Sequence, residues 1–458
     1  MGLRPALAAL VASRPLHPVR PASPGAHRGA GSGDHGVGGG VRLGNDSIDT
    51  LGAVLGEGNG SADPAPRRAP GDATVGVLGE TRPHSQSLGL YIHVPFCAKR
   101  CYYCSFNTAP LDARMVVRFL AALGLEIELL GSLPWISDIS IETIFLGGGT
   151  PSLLEAEQLA VILEGVRARV SVVPGAEVTV ECNPESVTRD KLAGYRQAGV
   201  NRISLGVQSL DDSILPVLGR LHDARGARAA FEAARDAGFD NVSVDLMYGL
   251  PRLDLAGWTR AIDTILDWRP AHLSAYGLTL DGGSAWSPAT APPLPAESIV
   301  IEQYRALARA AAARGFEHYE VSNYAQPGFR SRHNQIYWRA AEYLACGPGA
   351  CGFVGDLRYG NVRATPRYCA VTETGALPID TSERLTARQR LAERLILGLR
   401  TMDGVPAPWV DERAAGDAAL RGRLATWRER GLLVERGDRL ALSEEGFLLS
   451  DALFVELL

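Results

Sequence analysis

The sequence predicts an α/β protein: a partial, six-unit (βα)6 barrel of the TIM type carrying a small C-terminal, mostly helical, winged-helix-like domain. Two observations carry this. From residue 88 onward, short β-rich runs alternate with helical stretches, the pattern of βα units that build a parallel sheet. From about Leu385 the pattern changes to an amphipathic helix (Ala387–Leu399), a helix around Gly422–Arg430, a short strand pair (Leu432–Arg436 and Arg439–Leu442) and a final apolar helix. The organisation expected is a low-complexity tail over 1–86, the barrel over 87–310, an extension over 311–382 and a cap over 383–458.

The tail is dominated by Gly, Ala, Pro, Arg and Ser with no sustained apolar periodicity, a composition expected to stay disordered. Its first thirty residues hold Arg4, Arg14, Arg20 and Arg28 and no acid, which a mitochondrial transit peptide would also show. The 458 residues have a net charge of -5, without the basic excess that nucleic-acid binding asks for. No uninterrupted apolar run reaches the roughly eighteen residues of a membrane span. Cys182, Cys346, Cys351 and Cys369 are scattered without a disulfide-like framework, so a reducing compartment, the cytoplasm, is the expected location.

The barrel strands are expected at Gly89–Val94, Thr143–Gly147, Glu177–Cys182, Arg202–Val207, Val242–Met247 and His272–Leu278. In such folds the reactive groups sit at the carboxyl ends of the strands. The first strand runs into a loop with Cys97, Cys101 and Cys104. The second ends in a glycine turn, Gly147-Gly148-Gly149-Thr150. The third carries Glu181, the fourth ends at Gln208 and the fifth carries Asp245. An unpaired polar side chain in an apolar strand would cost several kcal/mol if buried, so these three need partners, either loop backbone or a ligand.

Three thiolates spaced C-x3-C-x2-C can wrap one corner of a cubane iron–sulfur cluster and leave one iron open for a small molecule. A zinc site lacking a ligand, or three free cysteines, are the bland alternatives. The triplet and its lead-in, Tyr91-Ile-His-Val-Pro-Phe-Cys97, resemble the radical S-adenosylmethionine superfamily. Within it they resemble the oxygen-independent coproporphyrinogen III oxidase family, which includes the HemW-type heme chaperones.

The resemblance implies a [4Fe-4S] cluster on the three cysteines and S-adenosylmethionine on the open iron, with an electron from a low-potential donor such as ferredoxin or flavodoxin releasing a 5'-deoxyadenosyl radical. It carries cofactor contacts onto Tyr91, Tyr103, Gly148, Gly149, Thr150, Glu181, Gln208, Arg220 and Asp245. Glycines allow close approach and can present N–H groups to a carboxylate. Arg220 can pair with the cofactor carboxylate, and Glu181 and Asp245 can accept from ribose hydroxyls or the ammonium.

A second block, His333-Asn-x-x-Tyr-Trp338, resembles the HemW-type branch. It implies His333 as a heme iron ligand, Tyr337 and Trp338 against a porphyrin face, and Arg330 and Arg332 at propionates. The bland reading is a hydrogen-bonded His333–Asn334 pair anchoring a loop. The Cys346 to Cys351 turn lacks a histidine usual near it in relatives, which puts any ligand role there in doubt.

In the oxidases of this family another cysteine follows the triplet after one residue, where this chain has Phe106. The leading expectation is therefore a heme chaperone that hands heme to an acceptor protein. Coproporphyrinogen III oxidation, converting two propionates to vinyls, is the alternative, and another radical S-adenosylmethionine enzyme is a second.

Overall fold

A computed structural model describes residues 74–280 and 283–457. Most of the expected tail, with Arg4, Arg14, Arg20 and Arg28, lies outside the described residues. Its last part does not behave as a tail. Thr74–Gly79 is helical, Leu78 is fully buried, and the Trp135 indole N–H donates to the Leu78 carbonyl at 3.0 Å. Burying one leucine is worth about 2 kcal/mol. The Glu342 carboxylate accepts the backbone N–H of His84 and Ser85, so the ordered protein starts well before residue 87.

One twelve-stranded sheet organises the rest. Its strands are β1 Ser87–Val94, β2 Ser140–Gly148, β3 Ser171–Cys182, β4 Arg202–Gln208, β5 Asn241–Tyr248, β6 His272–Gly277, β7 Glu317–Glu320, β8 Asn323–Ala325, β9 Tyr343–Cys346, β10 Cys351–Val354, β11 Leu357–Asn361 and β12 Ile379–Arg384. Their order is β12-β11-β10-β9-β1-β2-β3-β4-β5-β6-β8-β7. Strands β1 to β6 run parallel, as the six expected units require, and β9 joins β1 in parallel on the far flank. The remaining strands extend the two edges antiparallel.

Helices α1 Ala113–Leu130, α2 Ala156–Arg167, α3 Arg189–Gln197, α4 Ala224–Asp236 and α5 Leu255–Asp267 connect the six strands. Most begin where a side chain can satisfy the free N–H groups of a first turn. Asp112, Thr188, Asp223 and Asp254 each accept from the backbone two or three residues on.

The strands alternate with a period of two. In β4, Ile203, Leu205 and Val207 are buried in the main core, while Arg202, Ser204, Gly206 and Gln208 line the lumen. In β5, Val242, Val244 and Leu246 join that core, and Asp245 and Met247 face in. The lumen is thus polar although the strands look largely apolar.

Past the sheet, α6 Glu297–Ala313 packs on α5, α7 Arg332–Trp338 carries the His-Asn-x-x-Tyr-Trp motif, and α8 Thr365–Glu373 packs on α1. The C-terminal part has its own core around Leu395, Leu424, Leu442 and Phe447, and a three-stranded sheet. Its first helix, α9 Ala387–Leu399, coincides with the expected one. The backbone pairs of Val321 N–H with Arg400 and Met402 N–H with Tyr319 dock it onto the barrel.

Candidate radical site and polar lumen

The cysteine loop leaves β1 at the carboxyl end of the sheet. Tyr102 N–H donates to the Leu218 carbonyl, the Trp286 N–H donates to Tyr102, and the two rings stack with centroids 6.5 Å apart. Arg100 ties the loop's far end by donating to the carbonyls of Cys104 and Gly283, both at 2.9 Å. Cys97, Cys101 and Cys104 line one cavity of about 390 Å3 with Gly148, Glu181 and Arg220.

Burial pushes the Cys97 thiol up to about 12, the Thr150 hydroxyl at 3.7 Å working against it, and burial pushes Cys104 up to about 11. Such thiols become thiolates only when a strong Lewis acid takes them. Among the described residues no three His, Cys, Asp or Glu side chains converge as around a single metal ion. A cubane does not ask for that convergence, because each cysteine takes a different iron. The donor set therefore fits a cluster held by three cysteines.

The glycine turn works differently from the sequence expectation. The Gly148 N–H donates to Glu181 Oε2 at 3.0 Å and the Gly149 N–H to the Val94 carbonyl at 2.8 Å. Both donors are spent inside the protein. A Cβ on Gly149 would stand 2.6 Å from the Pro95 backbone, so that glycine exists for close packing under the cysteine loop. Gly148, Gly149 and Thr150 still form cavity wall, offering a ligand surface rather than those two N–H groups.

The polar residues of the neighbouring strands converge there. Arg220 is fixed by donating to Asn183 Oδ1 and the Gly206 carbonyl, both at 2.7 Å, with Nη1 3.6 Å from Cys101 Sγ. Gln208 sits at φ 65, a left-handed conformation that costs a non-glycine residue about 1 kcal/mol or more, and it lines the cavity. Asp245 accepts from Ser204 and Ser243 at 3.0 to 3.1 Å. Burial, then the Asp245 charge, raises Glu181 to about 7; burial likewise raises Asp245. Tyr91 contacts His93 Nδ1 through its hydroxyl at 2.9 Å and stacks on Phe145, while Tyr103 lines the cavity between two of the cysteines in sequence.

The His333 segment closes the opposite end of the lumen. Glu177, near the start of the barrel part of β3, accepts the N–H groups of Arg332 and His333 at 3.0 and 2.9 Å. Gly89 makes room: a Cβ there would meet Ile336 at 2.7 Å. His333 is fully buried, with Nδ1 2.7 Å from Thr143 Oγ1, Nε2 2.8 Å from the Tyr337 hydroxyl, and its ring stacked on Phe145. Asn334 is not its partner. Tyr337 and Trp338 line the cavity, and the Trp338 indole N–H is buried without a hydrogen-bond partner.

The expected propionate arginines are not free. Arg330 pairs with Glu317 and Asp403, and Arg332 donates to the carbonyls of Gly175 and Glu142 outside the cavity lining. Sequence reasoning missed Arg202, Ser204, Ser243, Ser274 and Tyr276. For Arg202 and Ser204 the signal was the alternation in Arg202-Ile-Ser-Leu-Gly-Val-Gln208, whose even-numbered residues all line the lumen.

A half-barrel with three cysteines at the carboxyl end of its first strand and a polar lumen defines a radical S-adenosylmethionine protein. The sequence profile of the radical SAM superfamily matches residues 91–265, and that of the HemN C-terminal domain matches residues 385–449. The superfamily implies a [4Fe-4S] cluster and S-adenosylmethionine. Heme chaperone HemW of Mycobacterium tuberculosis is 37% identical over 392 residues, 84% of this chain and 98% of that protein. HemW of Bacillus subtilis is 32% identical over 80% of this chain and 97% of its own length. The mitochondrial radical S-adenosyl methionine domain-containing protein 1 of Bos taurus is 35% identical over 87% and 93%. The chain belongs to the HemW family. Escherichia coli coproporphyrinogen III oxidase (HemN), a radical SAM enzyme, shares the fold, with TM-score 0.71 at 22% identity over 83% of this chain and 92% of that one. No helix among the described residues is long and apolar enough to cross a membrane.

Proposed function

We propose that this protein is a heme chaperone: it binds heme beside a [4Fe-4S] cluster and S-adenosylmethionine and passes the heme to an acceptor protein. The observation that carries the reading is family membership over nearly the full length of proteins named heme chaperone HemW. Phe106 supports it, standing where the oxidases place a further cysteine.

In this reading Cys97, Cys101 and Cys104 hold the cluster. Tyr91, Tyr103, Gly148, Gly149, Thr150, Glu181, Gln208, Arg220 and Asp245 hold S-adenosylmethionine. The cluster supplies one-electron reduction when loaded from a low-potential donor, and the protein's own groups orient and neutralise the cofactor. Glu181 and Asp245 accept from its cationic and hydroxyl groups, and Arg220, already fixed by Asn183 and Gly206, offers its remaining N–H to a carboxylate.

Heme takes His333, Tyr337 and Trp338. Burial, then the Arg202 charge, lowers His333 to about 3, so the imidazole is neutral at working pH, the form that ligates iron. With Nδ1 held by the Thr143 hydroxyl, Nε2 would be the ligating nitrogen, and the Tyr337 hydroxyl would leave it first. Spectrophotometric heme titration tests the assignment. Wild type should saturate with a histidine-type spectrum, and His333→Ala should lose it; an unchanged stoichiometry and spectrum would remove His333 as ligand.

The oxidase reading rests on the fold shared with the coproporphyrinogen III oxidase. Cytoplasmic location is part of the proposal.

A further inference from the structure

Arg202 opens β4 inside the lumen and is 2% exposed. Its Nε is enclosed without a hydrogen-bond partner. A buried guanidinium with unused donors is costly unless something completes it. The Arg202 charge acts on Glu181 and Asp245, yet the hydrogen bonds of the neighbouring acids go elsewhere. Glu177 caps α7, Glu181 accepts from Gly148, and Asp245 accepts from Ser204 and Ser243.

Position says what could complete it. Arg202 pairs in register with Thr179 and Asn241, whereas Glu181 pairs with Ser204. Arg202 therefore lies one lumen layer, about 7 Å, below the proposed cofactor layer. Strand β4 is flanked on both sides within the parallel run β1 to β6, and Arg202 lines the lumen cavity. The same cavity is lined by Val321, Ser322 and Arg400 from one end of the sheet and its neighbouring cap, and by Trp338, Tyr343 and Cys351 from the other end. A flat molecule held in this cavity can present one edge to Arg202.

We infer that Arg202 is a carboxylate-receiving residue, and that the carboxylate is a propionate of the tetrapyrrole bound in the lumen. Its planar fork of N–H donors matches a carboxylate in bidentate fashion. The inference rests on the heme-binding reading above.

The test compares heme with heme dimethyl ester on wild type, Arg202→Gln and Arg202→Lys, each with its cluster reconstituted. Wild type should bind the diester roughly ten- to a hundredfold more weakly than heme, Arg202→Gln should bind heme as weakly as wild type binds the diester, and the two losses should not add. Arg202→Lys should recover part of the affinity. The S-adenosylmethionine-induced change in the cluster EPR spectrum should persist in both variants. If wild type binds heme but ignores esterification, or both variants bind heme like wild type, the inference fails and heme binding stands. If wild type binds no heme at all, the functional reading falls with it. Should Arg202→Gln not fold, the diester comparison on wild type decides alone. Protection of wild type by succinate, with no effect of esterification, would assign the site to a free carboxylate and overturn the propionate.

Discussion

The Tyr337 hydroxyl lies 2.8 Å from Nε2 of His333, four residues earlier on the same helical turn, and closes the ring's remaining nitrogen. Nδ1 is already engaged by Thr143. Burial keeps the imidazole neutral, and the two contacts fix it in one orientation with Nε2 covered by a single removable group.

That relationship predicts that Tyr337→Phe exposes Nε2. Heme association should become faster in stopped-flow absorbance, at a cost of about 1 kcal/mol in apo-protein stability. Thr143→Ala should act in the opposite sense, leaving Nδ1 unpaired and weakening the histidine-type spectrum. Equal association rates for wild type and Tyr337→Phe would show that the hydroxyl does not gate the ligand.

Glu181 predicts a pH dependence. Burial and the Asp245 charge raise it to about 7, so near neutrality it still holds much of its proton, and a cationic cofactor must displace that proton. S-adenosylmethionine affinity should rise as pH goes from about 6 to 8, with proton release measurable by calorimetry in buffers of different ionisation enthalpy. Glu181→Gln should bind more weakly with a flattened profile.

The barrel was legible because its strands alternate with capped amphipathic helices, and all six expected strands are present. Lumen chemistry was only partly legible. Glu181 and Asp245 stood out as acids among aliphatics, but Arg202 at a strand's first position carried no sequence sign of its burial. The ordered segment at 74–86 was hidden by its glycine- and proline-rich surroundings, since one buried leucine and the Glu342 carboxylate hold it. The destinations of the Gly148 and Gly149 N–H groups depend on side chains and strands distant in sequence.

Glu126 predicts a stability effect. Deep in α1, it accepts from the Gly347 N–H at 2.8 Å, Asn361 Nδ2 at 2.6 Å and the Tyr368 hydroxyl at 2.5 Å, joining the barrel to its extension. Glu126→Ala leaves three buried donors unsatisfied and should cost about 3 kcal/mol or more in denaturant unfolding. Burial raises this carboxyl to about 7, above its unfolded value. Its contribution is therefore most favourable below the unfolded pKa and declines as pH rises through about 7. Glu126→Gln should lose that pH dependence.

Gln208 predicts a split between stability and binding. Glycine tolerates φ 65 without strain, so Gln208→Gly should keep or raise the melting temperature while weakening S-adenosylmethionine binding, read by the cofactor-induced EPR shift. Loss of both stability and binding would make Gln208 a structural residue only.

The central claim separates heme handling from porphyrinogen oxidation. The most direct measurement is product analysis after anaerobic incubation of the reconstituted protein with reductant, S-adenosylmethionine and coproporphyrinogen III. The chaperone account predicts no protoporphyrinogen IX from a preparation that binds heme; formation of the divinyl product would contradict it.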